Sequence, residues 1–225
     1  KAYLMLEDGS VYEGTARGDF KETACEIVFN TSMTGYVEIL TDPSYAGQGV
    51  VMTYPMIGNY GISREDFESE RLQPSAFIVH ELSSDPSNFR CTDTIENLLK
   101  EYNIPCISGV DTRAVVKKLR ESGTMRGVLT SDIGDRERLM DVIKSFRQID
   151  LVGSVTAKQT KVYGEENTGA EIALMDFGTK RNIINNLVKR NCIVTVYPSF
   201  TSADEIIKTS PDGIMPVSYT HLRAH

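Results

Sequence analysis

After residue 170 the chain alternates short apolar runs with amphipathic stretches, and few folds accept that order. Glu171-Ile172-Ala173-Leu174-Met175-Asp176-Phe177 reads as a buried strand, and Gly178 turns the chain. Thr179 stands where a cap belongs, before a helix carrying Ile183, Ile184, Leu187 and Val188. A second strand, Cys192-Ile193-Val194-Thr195-Val196-Tyr197, is ended by Pro198. Ser202 starts a short helix through Ile206 and Ile207, and Asp212-Gly213-Ile214-Met215 opens a third strand. Strand–helix–strand–helix–strand predicts a parallel sheet with right-handed crossovers. The expected class is α/β, with the beginning of a doubly wound parallel sheet in this part.

The first 150 residues have a different texture. Tyr3 to Gly14 reads as a hairpin, with Asp8-Gly9 supplying the positive φ values of a tight turn. Glu26 to Asn30, Gly49 to Tyr54 (stopped by Pro55) and Ala76 to Glu81 read as strands. Ile95, Leu98, Leu99 and Tyr102 fall on one helical face, with Asp93 and Glu96 spaced as a capping box. Asp111 is placed to cap a helix bearing Val115, Val116 and Leu119, and Gly123 to terminate it. Leu139, Val142, Ile143 and Phe146 form a third stripe. Residues 153 to 170 lack apolar periodicity, and Gly164-Glu165-Glu166-Asn167-Thr168-Gly169 is polar. The expected organisation is therefore a first domain over 1–150, a linker over 151–170 and a second domain over 171–215. Pro216 would interrupt a central strand, since it cannot donate to a ladder. Residues 216–225 are expected to be a non-native tail. Three strands and two helices leave a sheet edge and an apolar face open, so 171–225 is expected to be marginally folded.

Charge narrows the function. The formal net charge of −7 argues against nucleic acid, which selects basic surfaces. Lys117, Lys118 and Arg120 read as a solvated helix face. No apolar run approaches the roughly 20 residues that span a bilayer, and no leader pattern is visible. Cys25, Cys91, Cys106 and Cys192 are widely spaced, with no Cys-x-x-Cys pair, so neither a zinc site nor a disulfide framework is expected, and a cytoplasmic setting is.

Hydrolysis by cysteine needs a thiolate, a base and oxyanion donors. None of the four cysteines sits at a glycine-flanked strand-to-helix turn. Cys25 precedes a strand, Cys91 precedes a helix cap, and Cys106 and Cys192 open apolar strands. His80 reads as a strand residue, while His221 and His225 fall in the last five positions. No catalytic residue and no metal ligand is expected. Phosphate-loop motifs are absent. Gly178-Thr179-Lys180-Arg181 opens a helix and has the composition to hold an anion, or to be a plain turn with a solvated basic pair. The densest polar stretches are Asn30 to Tyr36, Thr41 to Gln48 and Tyr54 to Gly61. Loops of this kind on a rigid sheet bind a small polar ligand or a partner, or serve the fold alone.

Those stretches carry a family resemblance. Phe29-Asn30-Thr31-Ser32-Met33-Thr34-Gly35-Tyr36, with Glu38-Ile39-Leu40-Thr41-Asp42-Pro43-Ser44-Tyr45, closely resembles the signature of the carbamoyl phosphate synthetase small chain. Thr53 to Gly61, Ser87-Asn88-Phe89-Arg90, Val110-Asp111-Thr112-Arg113 and Asp176 to Ile183 match further family motifs in the same order. The resemblance implies a swivelling β/β/α domain first, then the start of a class I glutamine amidotransferase-like domain. It implies a small subunit that hydrolyses glutamine with a Cys-His-Glu triad and passes ammonia to a large subunit. That partner would use ATP, a divalent metal and bicarbonate to make carbamoyl phosphate for arginine and pyrimidine synthesis. No cofactor is implied in the small chain. Of the family's glutamine-contacting residues, Ser44 has a matching position. The triad positions have none here, so the residues in hand are expected to be inactive alone. A docking module for the large subunit is the alternative. A standalone nucleotide-binding protein is a third reading, weakened by the missing phosphate loop.

Overall fold

The computed structural model describes residues 1–147 and 150–218, with Ser218 described by its backbone only. The chain divides into two compact units, one of residues 1–41 and 47–148, the other of residues 42–46 and 149–225.

The first unit contains, in order, β1 (Ala2–Leu6), β2 (Val11–Arg17), β3 (Thr23–Asn30), α1 (Tyr36–Thr41), β4 (Gln48–Met52), β5 (Met56–Ile57), β6 (Ala76–Ile78), β7 (Glu81–Leu82), α2 (Ile95–Glu101), β8 (Cys106–Ser108), α3 (Thr112–Ser122), β9 (Met125–Thr130) and α4 (Arg136–Ser145). Seven strands close into a barrel in the order β1-β2-β8-β6-β4-β3-β9. The β3–β4, β4–β6 and β6–β8 pairs are parallel, and the other four are antiparallel. β5 and β7 pair separately. Alternation along each strand sorts the side chains. Leu4 and Leu6 join Ile27, Val51, Ile78, Ile107 and Leu129 in the main core, onto which α3 packs Val115, Val116 and Leu119. Met5, between them on β1, clusters instead with Val128 and with Leu139 and Ile143 of α4. Closure removes the free edges an open sheet would leave.

Local signals behaved unevenly. Asp111 accepts from Ala114 N, and Gly123 ends α3 at φ 84°, both as the sequence predicts. In the hairpin only Gly9 has positive φ, so Asp8-Gly9 is not a pair of left-handed residues. The cap of α2 is Thr94, whose side chain accepts from Asn97 N. Asp93 binds Thr94 N and the Asn97 amide instead, and Glu96 pairs with Lys100, so the expected capping box does not form. His80 lies in a bend after β6, outside any strand.

The second unit contains α5 (Leu151–Val155), β10 (Lys161–Tyr163), β11 (Glu171–Phe177), α6 (Arg181–Val188), β12 (Ile193–Pro198), α7 (Ala203–Ile207) and β13 (Gly213–Ser218). The sheet order is β10-β12-β11-β13. β11 pairs in parallel with both β12 and β13, and β10 adds antiparallel to β12. Leu174, Val194 and Val196 face α6 through Ile184, while Ala173 and Tyr197 face α7 through Ile206. Both faces of β11 are thus covered, which is why its sequence is a continuous apolar run. The stretch 151–170, expected as a linker, instead holds α5 and β10. Three-residue β10 carries too few positions to show a period. Pro216 does not end β13, where it stands opposite Met175. Among the described residues β13 has one ladder neighbour, and an edge strand accommodates proline. Residues 219–225, with His221 and His225, lie outside the described residues.

Candidate functional site

The polar segment after β3 is organised by two tyrosines. Tyr36 opens α1 and stacks on Tyr60, with ring centroids 4.1 Å apart and planes 18° from parallel. The Tyr60 hydroxyl accepts from Gly35 N at 2.6 Å and Tyr36 N at 3.2 Å. In return the Tyr36 hydroxyl donates to Gly61 O and accepts from Tyr60 N. The reciprocal pair ties the Asn30–Tyr36 loop to the Tyr54–Gly61 loop. Burial pushes both phenols up, so they stay neutral donors and acceptors.

In the second unit, Asp42 caps a 3-10 turn over Pro43–Tyr45. Asp42 is 6% exposed. Its Oδ1 accepts from Ser44 N at 2.9 Å and from Ser44 Oγ at 2.6 Å. Its Oδ2 meets Lys180 Nζ at 2.8 Å. Ser44 is itself buried, at 9%. Its proton is committed to Asp42, which leaves the oxygen lone pairs as acceptors. Lys180 is held by α6, whose N-cap it is, and Gly178 lets the turn approach this segment. At φ 107°, a Cβ on Gly178 would lie 3.3 Å from Pro43 Cβ.

Asp176 shapes that turn from the end of β11. Its Oδ1 accepts from Gly178 N at 2.9 Å and Thr179 N at 2.7 Å, and its Oδ2 from Ala157 N at 2.7 Å. The Gly178 and Thr179 amides are therefore taken by Asp176, and Lys180 is paired with Asp42. Lys180 is thus not half of a solvated basic pair, and Gly178 and Thr179 have no amide to spare for an anion. Thr179 does not cap α6; its buried Oγ1 has no hydrogen-bond partner among the described residues. The family resemblance singled out Ser44, and the residues offered Lys180 to an anion, but neither gave Asp42 or Asp176 a role. Asp followed by Pro at the first position of a turn is a signal for Asp42. Nothing local announces its partner 138 residues onward, counted from Asp42 to Lys180.

A match to the model for "Carbamoyl-phosphate synthase small chain, CPSase domain" runs over residues 4–129, nearly the whole barrel. The chain belongs to the carbamoyl-phosphate synthase small-chain family. The carbamoyl phosphate synthase small chain of Clostridium perfringens (strain 13 / Type A) is 47% identical over 213 residues, 94% of this chain and 60% of that protein. That of Listeria monocytogenes serotype 4b (strain F2365) is 44% identical over 216 residues, 96% of this chain and 59% of that one. That of Staphylococcus saprophyticus subsp. saprophyticus is 46% identical over 217 residues, covering 96% and 58%. The chain thus spans about 60% of the length of the curated relatives it matches.

Within this small-chain barrel, Cys25 lies in β3 rather than before it, and Cys106 in β8, both fully buried. Burial pushes the Cys25 thiol up to about 12 and raises Cys106 as well. Cys91 Sγ contacts Asp93 O at 3.4 Å, and Cys192 precedes β12. His80 Nδ1 lies 3.0 Å from Val110 O, and no contact joins it to a cysteine among the described residues. No described group of three or more His, Cys, Asp or Glu side chains is placed to hold a metal, and no described helix is long and apolar enough to cross a membrane.

Proposed function

We propose that the chain is the glutamine-side component of a glutamine-dependent carbamoyl phosphate synthase. In this reading the complete assembly converts glutamine, bicarbonate and two ATP to carbamoyl phosphate and glutamate, serving arginine and pyrimidine synthesis in the cytoplasm. ATP and divalent metal belong to a large subunit on which this chain docks. The second unit is read as the start of a class I glutamine amidotransferase-like domain, and the barrel as the family's swivelling β/β/α domain. The observation that carries the reading is the likeness, over 94% of the chain, to proteins named carbamoyl phosphate synthase small chain.

Ser44 is assigned to glutamine. With its proton given to Asp42, its oxygen accepts from an ammonium, and the neighbouring carboxylate favours that cation. Lys180 holds Asp42 from the other side and is a positioning residue. The residues in hand hydrolyse no glutamine by themselves. Support comes from Cys25 and Cys106, sealed in the barrel, where burial keeps both thiols neutral. Docking on the large subunit is then what this stretch of the small chain does. The experiment is to incubate the chain with glutamine, with and without the large subunit, and measure glutamate. Turnover by the chain alone, or a glutamyl thioester on any of its own cysteines, overturns the inactivity. Glutamine titrated calorimetrically into the chain with the large subunit present is expected to bind more weakly to Ser44→Ala; equal affinity removes Ser44 from the site.

A further inference from the structure

Two apolar side chains of the barrel unit stand in the open: Phe89 is 97% exposed and Met33 69%. Apolar residues scattered singly need no explanation, but both of these adjoin in the chain residues that line one cavity. Phe89 stands in the chain between Asn88 and Arg90, and Met33 directly before Thr34; those three neighbours line a cavity of about 250 Å³. Its walls are fixed, because Gly35 and Tyr60 also line it and belong to the stacked tyrosine clamp.

The cavity holds an unanswered carboxylate. Glu38, half-buried, lines it, and its carboxylate receives a hydrogen bond from its own backbone N–H but from no other described residue. Arg90 is not its partner. That guanidinium is engaged by Asp66 Oδ1 at 2.6 Å and Glu65 Oε2 at 3.3 Å. Burial pushes the Glu38 carboxyl up, Asp66 and Glu68 push it further, and Arg90 opposes them. The guanidinium that opposes them is itself shared with Asp66 and Glu65, so it does not answer Glu38. A cation entering the cavity would supply the missing donor and charge. A free small cation would fill the cavity and leave Phe89 and Met33 in water. A protein surface answers both features at once: an aromatic anchor beside a desolvated charge pair is how binding energy concentrates in interfaces.

We propose that this face seats a protein partner which inserts a lysine or arginine side chain against Glu38 while Met33 and Phe89 pack on apolar surface around that residue. The inference rests on the docking reading above, and the large subunit is the partner meant. Charge complementarity selects a basic patch, in keeping with the chain's net charge of −7.

The test measures binding of the 225-residue chain to the large subunit by biolayer interferometry at two salt concentrations. Phe89→Ala is expected to weaken binding roughly tenfold or more. Glu38→Gln is expected to weaken it by a similar factor and to flatten its salt dependence. Glu137→Gln, exposed on α4, is expected to stay within about twofold of wild type. Phe89 is almost wholly in solvent, so its loss leaves the fold intact, and an unchanged thermal midpoint verifies this. A wild-type complex whose affinity neither variant moves overturns this face and leaves docking standing. No complex with the wild-type chain overturns docking and this proposal together.

Discussion

Replacing Lys180 with methionine removes the positive end of the ion pair and leaves the Asp42 carboxylate where it is. That carboxylate is buried, with its side chain 8% exposed against 25% for Lys180. At 2.8 Å the attraction is about 6 kcal/mol at an effective dielectric of roughly 20, before desolvation is subtracted. Breaking a buried pair by removing one partner costs about 3–5 kcal/mol. Here water reaches the ammonium, and Ser44 still donates twice to Asp42, so the expected cost is lower, about 2–3 kcal/mol. A unit of this size loses roughly 4–8 °C of melting temperature per kcal/mol, so its transition should fall by about 10–20 °C. Differential scanning calorimetry of wild type and Lys180→Met reads this directly. The double variant Asp42→Asn/Lys180→Met strands no charge and should recover most of the loss. A single variant melting within about 2 °C of wild type, or a double variant no better than the single, would refute the stranded-charge reasoning.

Four further outcomes are expected. Gly14→Ala should destabilise the barrel by about 1–3 kcal/mol in urea titration, because its Cβ would meet Ser108 O at 2.5 Å and force β2 from β8; an unchanged midpoint would show that the strands part freely. Arg138 grips Glu22 through two bonds of 2.7 and 2.8 Å and holds its carboxyl below the ordinary 4.5. Its folded value is thus depressed, so the contribution is complete above the unfolded value and disappears as pH falls through the folded one. Glu22→Gln should cost about 0.5 kcal/mol at neutral pH, solvent screening included, and flatten the acid limb of the stability curve; a parallel-shifted limb would deny the linkage. In native alkylation with mass-spectrometric mapping, Cys192 and Cys91 should react and Cys25 and Cys106 should not, and early labelling of either barrel thiol would contradict their burial. Hydrogen exchange should be fast at β13, an edge strand with Ile214 50% and Met215 38% exposed. Its amides matching those of β1 in protection would count against that ranking.

Much of this was legible where the physics is local. Asp111 and Gly123 bracket α3 because a cap needs only its own helix end. Ser202, read as the start of a short helix, caps α7 for the same reason, and the structure adds Glu205 as its reciprocal partner. Continuous apolar runs announced β11 and β12. Competition defeated the local reading elsewhere: Thr94 took the cap that Asp93 was placed to supply, and α6 takes Lys180, without a side-chain cap bond, where Thr179 was expected.

By itself, then, the order of residues determined the periods, the caps and the motifs that place the chain in its family. Tertiary structure alone decided that β8 lies between β2 and β6 to close the barrel, that β10 joins the second sheet, and that Lys180 meets Asp42. Strand pairing and charge pairing are settled between groups far apart in the chain, by which arrangement leaves the fewest backbone groups and buried charges without partners. No short window of sequence contains both members of such a pair.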